Sequence, residues 1–196
     1  MKPVLCMVLL VLFGVDPALT TTRAADYWVR PRGAGGDGSR NRPWSSLQFA
    51  ADRVRPGDTV HVLPGDYTGF DLRTAGTEEA PIRFVAEGEK VRITRRNVKT
   101  PDGINIEGVG HVVVEGFEVI MMPRVGVRIA QSPHVTIRNV TADMNGSWGV
   151  FAAFCDDLGL IGNKTSNTKK EHGIYVSNSG DRPVVRGNVS WNNQRC

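Results

Sequence analysis

A glycine followed by a short strand-like run returns four times in the second half of this chain, as Gly103-Ile104-Asn105-Ile106, Gly126-Val127-Arg128-Ile129, Gly149-Val150-Phe151-Ala152 and Gly173-Ile174-Tyr175-Val176. The glycines are 23, 23 and 24 residues apart, and each unit holds a second β-rich run: "HVVVEGFEV", "HVTIRNVTA", "LGLIGNKTS" and "PVVRGNVSW". A fixed period of this size marks a stacked-repeat architecture. Short alternating runs bounded by Gly, Asn, Asp and Ser are strands, and so short a period leaves no room for the helix of a leucine-rich or tetratricopeptide unit. The fold expected is all-β: a parallel β-solenoid whose turns each give two or three short strands and stack about 4.8 Å apart.

Period-2 alternation then assigns faces. Ile104/Ile106, Val127/Ile129, Val150/Ala152 and Ile174/Val176 point inward as aliphatic ladders, while Asn105, Arg128, Phe151 and Tyr175 form one outward column. Asn139, Asn163 and Asn188 each begin an N-x-Ser/Thr sequon, as does Asn145. Three of the four fall at one place in the repeat, so they read as stacked turn asparagines whose amides bond the neighbouring turn, in preference to glycan acceptors.

The chain has 196 residues, 40% apolar and 22% charged, the composition of one ordinary globular domain. Lys2, the apolar run Val4 to Phe13 and small residues at Ala18, Thr20, Ala24 and Ala25 read as a secretory leader over residues 1–25. Its apolar core is too short for a membrane span. The protein is therefore expected to be secreted or periplasmic, with no membrane span. Without residues 1–25 the basic surplus is small and scattered, which excludes a nucleic-acid binder. Cys155 and Cys196 are too few for a disulfide framework, and Cys155 is expected to fill a tight turn as a small apolar group. No CxxC, HExxH or GxSxG occurs.

Residues 26–102 are expected to form an N-terminal cap with the first turns, and 103–196 the regular repeats. Within "RPRGAGGDGSRNRPW", Gly33, Gly35 and Gly38 fit G-x-G-x-x-G, but a polar loop and Pro43 follow where a dinucleotide site needs a helix. Read as a calcium-binding repeat it has Arg40 where an aspartate belongs, and it occurs once. Ser45-x-x-Gln48 is a capping-box pattern, and Leu47, Phe49, Ala50, Ala51 and Val54 give a short amphipathic helix stopped at Pro56-Gly57. An uncovered solenoid end exposes core and strand edges, so this helix is the expected plug.

Pro43-Trp44, Pro56-Gly57-Asp58-Thr59 and Gly65-Asp66-Tyr67, with the repeats from Gly103 onward, resemble exported right-handed parallel β-helix proteins of the pectate-lyase-like superfamily. Nearly all of the chain after the leader shares this resemblance. Such proteins usually run beyond four regular turns, so the stop at Cys196 reads as a C-terminally incomplete domain. In the lyases of that group, substrate lies along the outward face of one sheet, aspartate-held calcium offsets a uronate carboxylate, and a lysine or arginine removes the C5 proton. The resemblance thus implies an exported, monomeric lyase or epimerase on an acidic polysaccharide, with Ca2+ as its cofactor; a non-catalytic glycan-binding or scaffold β-helix is the alternative.

Candidate residues follow from that chemistry. Asp156 and Asp157 are the acidic pair for calcium, with Asp143 and Asn145 from the preceding turn, although solvated turn aspartates look the same. Lys169 and Lys170 are candidate bases in what also reads as an exposed loop, and His172 is a third in a turn-like column with Asp102, Val125 and Trp148. His61, His111 and His134 show no clustered partners. Asn105, Arg128, Phe151 and Tyr175 make the candidate substrate strip, because aromatic faces suit sugar rings and guanidinium suits carboxylate; outward aromatics that only stack on each other would give the same pattern.

Overall fold

The computed structural model describes residues 24–32 and 35–195. Residues 1–23, on which most of the expected leader falls, Gly33, Ala34 and Cys196 lie outside the described residues. The described residues coil through five full turns and two strands of a sixth as a right-handed parallel β-helix with three sheets. In the first turn the strands are β2 (Thr59–Val62), β3 (Gly65–Thr68) and β4 (Phe70–Leu72), and in the second β5 (Ile82–Ala86), β6 (Val91–Arg95) and β7 (Ile104–Glu107). Then come β8 (Val112–Glu115), β9 (Glu118–Ile120) and β10 (Val125–Ala130), followed by β11 (Val135–Arg138), β12 (Thr141–Asp143) and β13 (Trp148–Ala153). The last strands are β14 (Gly159–Ile161), β15 (Lys164–Ser166), β16 (Ile174–Ser177), β17 (Val184–Arg186) and β18 (Val189–Trp191). With β1 (Asp26–Val29), the first sheet runs β1-β2-β5-β8-β11-β14-β17; the second runs β3-β6-β9-β12-β15-β18, and the third β4-β7-β10-β13-β16.

The register of the third sheet is the one expected. Ile104, Val127, Val150 and Ile174 stack in one inward column, Ile106, Ile129, Ala152 and Val176 in another, and Asn105, Arg128, Phe151 and Tyr175 outward between them. The regular period is hidden earlier because Asp71 pairs with Asn105 only after a longer excursion that includes the loop Arg96–Gly103. A β-helix turn thus begins at β2, well before the first repeat visible in the sequence.

The repeated glycine has a steric cause. Gly103, Gly126 and Gly149 enter the third sheet where successive backbones nearly touch: a Cβ on each would lie 2.6–2.7 Å from the carbonyl oxygen of the next glycine in the column. No other residue fits without moving the turn. Gly126→Ala should therefore cost about 2 kcal/mol, the scale of core overpacking, read from urea denaturation; unchanged stability would show that the turns can part.

The asparagines divide into two roles. Asn163 and Asn188 form a true ladder: Asn163 Oδ1 accepts from Val140 N, its Nδ2 donates to Ile137 O, and Asn188 repeats this one turn on. Asn139 lies one position earlier, exposed and at positive φ, in the column otherwise filled by Gly116, Gly162 and Gly187. Asparagine tolerates that conformation better than most residues. A second ladder the sequence hid runs through Asn145 and Asn193 in the turn before the third sheet. Asn145 and Asn163 are fully buried and closed to glycosylation.

The N-terminal end is covered strand by strand. Trp28 N donates to Gly38 O, Trp44 N to Trp28 O and Arg30 N to Trp44 O, so the Gly-rich loop folds back along the free edge of β1. Pro31 packs on Gly65 of β3. Helix α1 (Leu47–Ala51) buries Leu47, Ala50 and Ala51. Its N-cap is Ser46, which accepts from Phe49 N, one residue after the expected Ser45; Phe49 faces outward beneath Arg53. Gln48 does not close a capping box. Its side-chain amide donates to Asp71 O and accepts from Asp71 N, imitating the missing neighbour of β4. At the other end the side chains of Val176, Val185, Val189 and Trp191 are exposed. Gln48→Ala would strip both bonds from the edge strand and should lower unfolding free energy by about 1–3 kcal/mol; hydrogen exchange of the Asp71 amide as slow as in the parent would contradict this role.

Candidate functional site

The outward face of the third sheet changes character along its column, from charged to aromatic. At the N-terminal end lies Asp71, buried, its carboxylate 3.0 Å from Arg73 Nε and 3.3 Å from Lys99 Nζ and accepting from Asn105 Nδ2 at 2.6 Å. Asn105 Oδ1 in turn accepts from Arg128 Nη1 at 2.9 Å. Glu107 bridges Arg73 and Arg128 at 2.9 and 3.3 Å. Burial alone would raise the pKa of Asp71, yet Arg73, Asn105 and Lys99 outweigh it and hold the carboxyl below the usual carboxylate range. Glu107 is likewise held low against its own desolvation, chiefly by Arg128.

Beside this network Asp102, fully buried, takes Arg124 in a fork at 2.8 and 2.6 Å and also accepts from Val125 N. Fork geometry fixes the guanidinium plane as well as its charge. Arg124 and Arg128 then border Val125, Trp148 and Phe151 in a shallow recess. Past it the aromatic rings form a shelf: Trp148 and Phe151 are 5.1 Å apart, Phe151 and Tyr175 5.9 Å at 25°, and His172 and Tyr175 5.1 Å. Trp148 Nε1 is buried with no hydrogen-bond partner. The shelf presents an apolar surface, near parallel at Phe151 and Tyr175 and tilted by 53° at Trp148, beside two cations whose carboxylate partners are already in place.

Asn105, Arg128, Phe151 and Tyr175 do share this column, but Asn105 is fully buried, its amide spent on Asp71 and Arg128. It positions Arg128 and leaves the contact surface to the other three. Of the candidate bases, His172 lies against Tyr175, with Glu171 Oε2 3.5 Å from its Nδ1, too far for a hydrogen bond. Lys169 and Lys170 are exposed in the turn just before it. Asp156 and Asp157 follow the far end of β13, so the parallel strands hold them at the opposite end of the sheet from the lysines and His172. Asp156 Oδ1 accepts from Asp181 N at 3.1 Å, and Asp157 is forked by Arg182 at 2.7 and 2.8 Å, which holds its carboxyl below the usual range. Asp143 accepts from Ser166 and Asn167, and with Asn145 it lies at the other end of the sheet from Asp156. Among the described residues no three His, Cys, Asp or Glu side chains gather to hold a metal ion.

The other histidines do have partners. His111 and His134 stack at 4.4 Å, His134 Nδ1 is 3.4 Å from Asp157, and His61 stacks on Trp28 between Glu87 and Asp26. They were hidden because their partners sit one turn away, a separation that only the register reveals. Sequence reasoning also missed Arg124, Trp148 and the Asp71 network. The Trp148 column holds Asp102, Val125 and His172, a mixture without a repeating type, and Asp71 precedes the regular period. Cys155 is buried in its turn as expected, and desolvation pushes its thiol pKa up.

The fold defines a class, the right-handed parallel β-helix proteins. Residues 27–194 match the family described as Pel9A-like, right handed beta helix region, and the chain belongs to that family. Among solved structures it is similar to pectate lyase Pel9A, with a TM-score of 0.66 and 19% identity over 86% of this chain and 48% of that one. A rhamnogalacturonan lyase follows at TM-score 0.50 and 14% identity, covering 84% and 56%. The GH136 lacto-N-biosidase from Eubacterium ramulus gives 0.51 and 16%, covering 78% and 34%. At these identities the likeness is one of fold, and the chain spans about half the length of Pel9A. No curated protein matches the sequence. No helix among the described residues is long and apolar enough to cross a membrane.

The depressed pKa of Asp71 gives a signed expectation. Its contribution to stability is complete above its unfolded pKa of about 4 and is lost as pH falls through the lower folded value. The stability gap between the parent and Asp71→Asn should therefore close in urea titrations as pH falls from about 5 through the lowered folded value; a gap constant with pH would mean that the charge is not what the network uses.

Proposed function

We propose that this face binds an acidic, uronate-containing polysaccharide and that the protein is a lyase that cleaves it by β-elimination. The observation that carries the reading is the recess where Arg124 and Arg128 meet the Trp148, Phe151 and Tyr175 shelf. Sugar rings stack on aromatic faces, and guanidinium groups bind carboxylates in planar pairs. The pectate and rhamnogalacturonan lyases among its structural relatives support a pectin-like substrate. Such polymers lie outside the cytoplasm, in keeping with export to the periplasm or beyond.

In this reading a uronate carboxylate sits on the free N–H groups of Arg128 and Arg124. Offsetting its charge makes the C5–H acidic. His172, at the end of the shelf beside Tyr175, takes that proton on a neutral ring nitrogen. The C5–H electron pair becomes the C4–C5 double bond, the C4–O bond breaks, and the departing oxygen is protonated by the imidazolium or by water. Lys169 and Lys170, in the same turn, are the second choice of base. An epimerase would share the first step and return the proton to the opposite face of C5. Calcium enters no step here, because Asp156 and Asp157 are engaged by Asp181 and Arg182 away from the recess.

The test follows unsaturated-product absorbance on polygalacturonate, alginate and glycosaminoglycans, with and without chelator, alongside binding to each. Arg128→Ala should weaken binding roughly tenfold to a hundredfold, the loss of a charge-assisted pair, with its melting transition recorded as a control. Unchanged affinity would overturn the placement of the substrate. Binding without product on any polymer would favour a non-catalytic glycan-binding β-helix, and neither binding nor product would end the proposal.

A further inference from the structure

Three aspartates are buried within the described residues: Asp58, Asp71 and Asp102. Two of them hold cationic partners, Arg73 and Lys99 on Asp71 and Arg124 on Asp102. Asp58 differs. It is 2% exposed, yet its carboxylate is met only by backbone, with Oδ2 accepting from Arg55 N at 2.8 Å and Oδ1 from Ala25 N at 2.9 Å. A buried carboxylate without a countercharge is costly and rare.

Ala25 is the residue at which a counterion could be made. Thr22 and Ala24 place small side chains three and one residues before the Ala24–Ala25 bond, after the apolar run Val4 to Phe13, the arrangement an export peptidase requires. We propose that the leader ends one residue earlier than the bound of 25 read from the sequence, with removal between Ala24 and Ala25, and that the new α-ammonium of Ala25 is the missing partner of Asp58. Hydrolysis adds one water across the amide. Ala24 leaves as a carboxylate, and the nitrogen that donated one N–H to Asp58 becomes a charged donor at the same place. The bond is not incidental to the fold, because Ala25 O accepts from Thr59 N at the start of β2, and β1 begins at the next residue. Processing thereby adds an ion pair to the outermost strand of the first sheet. The inference rests on export but is independent of how the third sheet binds glycan.

The ammonium is the titrating group, and its surroundings are few. Asp26, next in sequence, has its carboxylate on His61, which also meets Glu87. Arg55 and Arg83 approach Asp58 through their backbone N–H groups, the latter to the Asp58 carbonyl. An α-amino group paired with a buried carboxylate has its pKa raised above the unfolded value of about 8. Its contribution is then complete below about pH 8 and lost as pH rises through the folded value.

The test begins with the exported protein, whose N-terminal sequence should start at Ala25; any other start overturns the proposal. The melting temperature of that form should fall between pH 8 and pH 10 by on the order of 5 °C more than that of the same chain acetylated at Ala25. In case acetylation or Asp58→Asn prevents folding, amine labelling of the parent at pH 8 gives a second measure. The Ala25 ammonium should react about fivefold more slowly than in an unfolded peptide, as a rise of one unit above about 8 requires at that pH. Equal melting curves or peptide-like labelling would show that Asp58 is not the partner.

Discussion

The structure depends on how closely successive turns approach at the entrance to the third sheet. There the backbone of each turn lies so near the next that a single Cβ would strike a carbonyl oxygen, and the column Gly103, Gly126, Gly149 is the consequence. Because those glycines fix where each strand starts, they fix its register. In a strand whose side chains alternate, register decides which residues meet solvent. Arg128, Phe151 and Tyr175 therefore share one outward column because glycines two positions earlier leave no alternative.

A stack of parallel turns leaves two recurring difficulties, and the chain answers both with polar side chains in backbone roles. At the corners, buried N–H and C=O groups would go unpaired; Asn163, Asn188, Asn145 and Asn193 each reach a neighbouring turn to satisfy them. At the N-terminal end, open strand edges would invite association. The Gly-rich loop pairs with β1, Pro31 covers β3, and Gln48 lends its amide to β4 as if it were another strand. The charged half of the outward face extends the same economy. Asp102 orients Arg124 directly and Asp71 orients Arg128 through Asn105, so both guanidinium groups stand fixed beside the aromatic shelf.

What is legible in the sequence follows from what repeats. The glycine period and the alternation around it are local, and they are enough for the fold class, the inward ladders and the outward column. The capping helix is visible too, but Gln48 has the spacing of a local cap while its partner is Asp71 in β4, 23 residues on and beyond two intervening strands. Asn139 looks equivalent to Asn163 by spacing, yet an offset of one residue moves it from a ladder to a left-handed turn position. Asn105 looks exposed because alternation gives direction and not burial; only the neighbouring turns show that Asp71 and Arg128 cover it. The recess itself is half legible, since Phe151 and Arg128 stand in the repeat while Arg124 and Trp148 occupy positions whose residue type changes from turn to turn.

If the third sheet's outward face is where an acidic glycan lies, the most direct measurement is a crystal structure of the protein with a short oligogalacturonate. A sugar ring flat on Phe151 or Tyr175, with its carboxylate on the Arg128 guanidinium, is the result expected. A well-ordered oligosaccharide on another face, with Arg128 still bound only to Asn105 and Glu107, would contradict it.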